Sequence, residues 1–221
     1  MQESKTARHN MLDSQIYTNK VEDQRVLAAI DIVPREEFVP QHLRGVAYID
    51  QDLDIGDDRF LMEPMIFARL LQLADIQKTE KVLVVGSATG YTVAVIAALA
   101  KQVIGLENNI NLISSAQSSM KKLGLGNASF VKAELTKGAD RHKPFDVIFI
   151  NGAVEDVPAL VIAQLKDGGR IVTVKADKDL PNGPHHAVLI HKHGKVVSEQ
   201  KQFQAFTTRL NEFNIKHGFE F

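Results

Sequence analysis

The sequence predicts an α/β fold: an open, mostly parallel sheet with helices on both faces and an antiparallel hairpin at its C-terminal end. Three observations carry this reading. The run Val82-Leu83-Val84-Val85 is continuously apolar rather than alternating, which suits a strand buried on both faces. Apolar strand-like runs then alternate with helical stretches as far as Val174, the pattern of βαβ repetition. Finally, Ala187 to His191 and Lys195 to Glu199 flank His193-Gly194, a hairpin signal of the kind that often ends such a sheet.

Each element has its own signal. Residues 8–33 read as helical, with Val26, Leu27, Ile30 and Val33 at helical spacing and Pro34 as the stop. Phe38-Val39-Pro40 and Ala47-Tyr48 lie in an irregular aromatic segment, and Asp50 to Asp58 reads as an acidic loop. Pro64 opens a helix carrying Ile66, Leu70, Leu71 and Leu73, since proline is tolerated in the first turn. Thr92 to Ala100 is alanine-rich and reads as a buried helix. Gln102 to Glu107 is a strand that ends in an acid, and Ile110 to Leu123 a helix closed by Gly124. Phe130-Val131, Phe145 to Ile150 and Arg170 to Val174 read as strands, with Val157 to Leu165 helical between the last two. No linker composition divides the chain. Residues 1–75 are expected to form an N-terminal helical cap and active-site loop, and 76–221 the sheet and hairpin, within one domain.

Composition narrows the function classes. The 221 residues are 44% hydrophobic and carry a net charge of −1, so neither a basic nucleic-acid field nor an acidic disordered tail is expected. There is no cysteine, which excludes disulfides, thiolate zinc sites and a cysteine nucleophile, and fits a cytoplasmic protein. The opening MQESKTARHN lacks the apolar core of a signal peptide, and no apolar run approaches the ~20 residues of a membrane span. No internal repeat or low-complexity tract is present.

The chemistry-bearing motif is Gly86-Ser87-Ala88-Thr89-Gly90, between the strand at Val82 and the following helix. Small residues there let a ligand approach the backbone, and the helix N-terminus offers unpaired N–H groups. A tight turn without a ligand is the competing reading. Glu107 shifts the balance: it ends the next strand 17 residues after Gly90, near the spacing of an acid that grips a ribose. Glu134 ends the third strand, where it could accept from an adenine amino group. These parts suit an adenosine-containing ligand, a dinucleotide or S-adenosylmethionine. The G-x-A-x-G form and the terminal hairpin favour the second.

The whole chain, over about residues 10–190, resembles the protein-L-isoaspartate O-methyltransferases. The likeness rests on Val33-Pro34-Arg35-Glu36-Glu37-Phe38-Val39-Pro40, Ala47-Tyr48-Ile49-Asp50, Leu53-Asp54-Ile55-Gly56 and Val82 to Tyr91. It continues through Asn127, Pro144-Phe145-Asp146-Val147-Ile148, Ala153 to Pro158 and Gln164 to Gly169. The resemblance implies a Rossmann-like, seven-stranded methyltransferase sheet. It also implies S-adenosylmethionine as donor, with Gly86, Ser87, Ala88, Gly90, Glu107 and Glu134 around it. The acceptor implied is a carboxylate of an abnormal aspartyl residue in a protein or peptide.

The departures from that family are specific. Its G-Q-T-x-S-x-P loop is here Asp58-Arg59-Phe60-Leu61-Met62-Glu63-Pro64, which places Phe60 and Met62 where the family carries Thr and Ser hydroxyls at the acceptor site. Val84, Ala88 and Ala133-Glu134 replace the family's Glu, Gly and Gly-Asp. Methyl transfer to an ionised carboxylate needs alignment and desolvation more than a base. A lost hydroxyl donor costs about 1–3 kcal/mol if it leaves a buried group unpaired. Three outcomes stay open: isoaspartyl methylation by a modified site, methylation of another acceptor, or donor binding without catalysis. His185, His186, His191 and His193 cluster near the hairpin, but no acid is fixed beside them by spacing, and no metal site is assigned. Lys121-Lys122 reads as a solvated helix end. The tail from Phe203 to Phe221 carries five phenylalanines, expected to pack on the body or on a partner.

Overall fold

The structure, a computed structural model, describes residues 2–176 and 185–214. The expected helix over residues 8–33 is broken in two. Helix α1 (Gln2–Met11) passes through a π turn and a 3-10 turn to Lys20, which takes a left-handed φ of 65°. Helix α2 (Gln24–Ile32) starts afresh with the Asp23 carboxylate accepting from the Arg25 N–H at 2.8 Å. Between them Val21 drops into the core, and the Gln72 amide bonds the backbone of Lys20, Glu22 and Asp23.

The expected acidic loop is a second correction. Leu53–Gly56 (β1) and Arg59–Leu61 (β2) form an antiparallel hairpin. Leu53 and Ile55 alternate inward with exposed Asp54 and Gly56, and Asp57 and Asp58 both take left-handed φ, 55° and 54°, as a two-residue primed turn requires. Helix α3 (Pro64–Ala74) follows with proline at its first position, as expected.

The main sheet has seven strands in the order β5-β4-β3-β6-β7-β8-β9. These are β3 (Lys81–Val85), β4 (Gln102–Glu107), β5 (Ala128–Lys132), β6 (Phe145–Val154) and β7 (Leu165–Lys175), all parallel, then β8 (His186–His193) and β9 (Val196–Gln204) as an antiparallel hairpin. Helices α4 (Tyr91–Ala97), α5 (Ile110–Leu123) and α6 (Ala159–Ile162) connect the parallel strands. Two helices stop short of expectation. Asn127 caps the carbonyls of Ala97 and Ala100, ending α4 early, and α6 is one turn because Leu165 already pairs with Phe145 in the sheet. The central strands are buried on both faces. Val82 and Val84 join the apolar cluster of α1 to α4, while Leu83 and Val85 join Phe145, Ile148, Leu210 and Phe213 on the other face. His191 and His193 stack on one face of β8 with ring centroids 6.2 Å apart. Phe203 lies under the Arg69 guanidinium, Phe213 is buried and Phe206 exposed; Phe219 and Phe221 lie outside the described residues.

Gly90 joins the first turn to α4 with φ +96°, and a Cβ there would stand 2.9 Å from the Ala116 Cβ of α5. Gly90→Ala is expected to destabilise the fold by about 2–4 kcal/mol through strain and overpacking together. Urea unfolding measures this, and a change within about 0.5 kcal/mol would remove the close packing of α4 on α5 from the account.

Candidate donor and acceptor site

The turn after β3 and the end of β4 are built as one unit. The N–H groups of Gly86 and Ser87 both donate to the Leu106 carbonyl at 3.0 Å, which lays the turn against the last residues of β4. Gly86, Ala88 and Gly90 all take positive φ. The Ala88 N–H donates to Glu107 Oε2 at 3.0 Å, and the N–H groups of Asn108 and Asn109 donate to Oε1 at 2.8 and 3.3 Å. Four of the expected positions around the turn, Gly86, Ser87, Ala88 and Gly90, therefore come together with Glu107. Glu134 stands apart: its side chain is two-thirds exposed and bonds Lys137 on the surface at 2.9 Å.

Residues that sequence reasoning passed over dominate this site. Arg59, on β2, reaches Glu107 with two bonds, Nε to Oε2 at 3.1 Å and Nη2 to Oε1 at 2.9 Å. Glu107 is fully buried and Arg59 nearly so. The same Nη2 donates to Glu212 at 2.6 Å and to Asn108 Oδ1 at 3.1 Å. Burial alone would lower the Arg59 pKa, but its bonds to Glu107 and Glu212 outweigh that and hold it above the ordinary arginine value. Burial likewise acts to raise Glu212, and the Arg59 bond prevails, holding this carboxyl below its usual range. Asn151, the first polar residue after the apolar run of β6, is also central. Its Nδ2 donates to the Gly86 carbonyl at 3.0 Å, and its Oδ1 accepts from Thr92 at 2.8 Å. That polar break in an apolar strand is a signal the sequence does carry; nothing in it pairs Arg59 with Glu107.

On the acceptor side, Phe60 and Met62 line a cavity with Asn151, Gly152, Thr207 and Thr208. The cavity measures about 10 Å³, room for a single water. The buried Arg35 guanidinium fixes the loop from behind, donating to the carbonyls of Ala47 and Met62 at 2.6 Å each. Asp52 holds the opposite wall. Its Oδ2 accepts from the Thr207 hydroxyl (2.9 Å), the Thr208 N–H (2.6 Å) and the Thr208 hydroxyl (2.8 Å).

Whether this arrangement fits an S-adenosyl ligand is decided by space and by partners. Leu210 fills the cradle above the glycine turn: a Cβ at Gly86 would meet its two methyls at 3.2 and 3.3 Å. Both Glu107 oxygens are engaged by protein donors. The donor set has the right chemistry for that ligand, and in this closed arrangement Leu210 and Arg59 occupy the space beside Gly86 and Glu107.

Glu63 gives the loop a pH signature. Burial first, then the neighbouring Asp50 and Asp52 charges, push its carboxyl up from 4.5 to about 7. The unfolded chain thus ionises before the folded one as pH rises. Stability is undiminished below about pH 4.5, falls through that window and is fully lowered above about pH 7. Glu63 is half-buried, so screening holds the loss to about 1–2 kcal/mol. Glu63→Gln should remove that loss in urea unfolding compared at pH 5 and pH 8. An equal loss in both proteins would show that Glu63 titrates normally.

Comparison with known proteins agrees with this architecture. The family model for protein-L-isoaspartate(D-aspartate) O-methyltransferase matches residues 6–207. A protein-L-isoaspartate O-methyltransferase of Koribacter versatilis is 39% identical over 165 residues, 75% of this chain and 74% of the relative. One of Methanoculleus marisnigri is 32% identical over 210 residues, 93% and 92% of the two chains. A solved protein-L-isoaspartate O-methyltransferase superposes with a TM-score of 0.81 at 25% identity, covering 94% of this chain and 67% of that one. A Plasmodium falciparum structure, solved with S-adenosyl-L-homocysteine, superposes at 0.77 over 94% and 98% of the chains; at 17% identity it speaks for the fold alone. The expected Rossmann-like methyltransferase fold is the one observed. The chain belongs to the protein-L-isoaspartate(D-aspartate) O-methyltransferase family.

Proposed function

We propose that the chain is an S-adenosylmethionine-dependent methyltransferase that acts on the carboxylate of abnormal aspartyl residues in proteins or peptides. The observation that carries this reading is Glu107, placed at the end of β4 beside the Gly86–Gly90 turn, in a chain matched to the family over residues 6–207. Gly86, Ser87, Ala88, Gly90 and Glu107 are the donor-side residues of this reading. Glu134 is its outlying member, and Phe60 and Met62 are the acceptor wall. A single domain spanning residues 1–221 and a cytoplasmic site of action belong to the same proposal. They are supported by one apolar cluster that joins Met11 and Ile30 to Val82 and Ala205, and by the lack of cysteine. No described helix is long and apolar enough to cross a membrane.

A second reading, methylation of a different acceptor, is favoured by the acceptor wall itself. Phe60 and Met62 offer no hydroxyl, and Asp50 and Asp52 place negative charge around the loop, which disfavours an anionic acceptor. A methyl-transfer assay with labelled donor separates the two, using an isoaspartyl peptide, its aspartyl twin and a lysate. The expected result is base-labile label on the isoaspartyl peptide and none on its aspartyl twin, slower than a Ser/Thr-bearing relative achieves and faster after Phe60→Thr with Met62→Ser. Base-stable label in the lysate, with none on the isoaspartyl peptide, would establish the second reading instead.

A further inference from the structure

Segment 205–213, called here the strap, leaves the end of β9 and runs through the cleft that the turn, β4 and β6 enclose. Besides the Ala205 N–H on the His185 carbonyl (3.0 Å) and the Arg209–Glu155 pair (3.2 Å), it is seated at three places. At its start, Asp52 gathers the Thr207 hydroxyl and both the N–H and hydroxyl of Thr208 within 2.6–2.9 Å. In its middle it pairs with β6: the Ala153 N–H donates to the Thr208 carbonyl and the Leu210 N–H to the Ala153 carbonyl, both at 2.9 Å. Here the Leu210 side chain lies on two glycines at once. A Cβ at Gly152 would stand 2.8 Å from Leu210 Cγ, and one at Gly86 3.2 Å from Cδ1. At its end Glu212 bonds Arg59 Nη2 at 2.6 Å and Asn108 Nδ2 at 2.8 Å.

We propose that the strap and the S-adenosyl donor are alternative occupants of one cleft, so that the donor binds only when the strap leaves. Leu210 holds the place of the ligand's apolar stem above Gly86, and the Arg59 guanidinium holds the place of a ribose against Glu107. This rests on the donor-side reading above and adds its regulation. The seat is built to open. The strap is not a strand of the seven-stranded sheet, and at Ala153 two backbone bonds tie it there. Both of its ends are held by carboxylates, and Glu212 Oε2 is buried without a hydrogen-bond partner. Lifting the strap takes Glu212 off Arg59 and clears the glycine cradle without unpairing one strand of the seven-stranded sheet from another; Arg59, which belongs to β2 and not to the strap, must then yield Glu107 to the ribose.

The test uses the full chain and S-adenosylhomocysteine as probe, read by calorimetry and by amide hydrogen exchange. Leu210→Ala with Glu212→Gln should bind the probe at least tenfold more tightly than the unaltered protein. In the unaltered protein, saturation with the probe should strip protection from the Leu210 amide, which is bonded to Ala153 in the closed form. A pin supplies the opposite case. Gly152→Cys with Leu210→Cys places Cβ at residue 152 about 3 Å from Sγ at residue 210, the separation across a disulfide, in a chain that has no other cysteine. The oxidised pair should not bind the probe, and reduction should restore binding. Equal affinity of the weakened and unaltered proteins, or binding with Leu210 still protected, would overturn the strap while leaving the donor reading intact. Absence of binding in every form, the weakened strap included, would overturn the donor reading and the strap with it.

Discussion

The bidentate pair between Arg59 and Glu107 is the interaction on which the site depends. A carboxylate without solvent contact at the end of β4 is tolerable only if its charge is met, and removing one partner of such a pair costs about 3–5 kcal/mol. Glu107 is met by three backbone N–H groups and one guanidinium. The guanidinium comes from a short hairpin whose Asp57-Asp58 turn reverses the chain into β2 just before Arg59. Glu212 then adds a second carboxylate to the same nitrogen, and so the strap is drawn over the glycine turn.

Glu107 thereby joins the Gly86–Gly90 turn, the β1–β2 hairpin and the strap in one polar cluster. The turn and the acid are joined through the Ala88 N–H, and the acid is turned inward to its own chain. The acceptor loop differs in the same sense. Where hydroxyls are expected, Phe60 and Met62 form an apolar wall, and Arg35 pins the loop from behind through the Met62 carbonyl.

The sheet was legible because its signals are local. Val82–Val85 and Val147–Ile150 are continuous apolar runs of the kind a doubly buried strand shows, and Gly124 and Pro64 mark helix ends by backbone preference alone. Glu107 was legible by its spacing from the turn. Other features depend on distant partners. The break at Lys20 is stabilised by Gln72, 52 residues away. The hairpin at Leu53 was hidden by its acidic residues, although Leu53-Asp54-Ile55-Gly56 does alternate. Arg59 and Glu212 are 153 residues apart, and no periodicity or motif pairs them. Charge pairs across a fold are set by tertiary packing, which a single sequence does not display.

The most direct test of this account is a double-mutant cycle on Arg59→Ala and Glu107→Gln, measured by urea unfolding at pH 7. Arg59→Ala alone leaves a buried charge unmet, and Glu107→Gln in that background removes the charge. A coupling energy of at least about 2 kcal/mol is predicted, with the second substitution recovering most of the loss caused by the first. Additive effects, within about 0.5 kcal/mol, would contradict the claim that this pair organises the site.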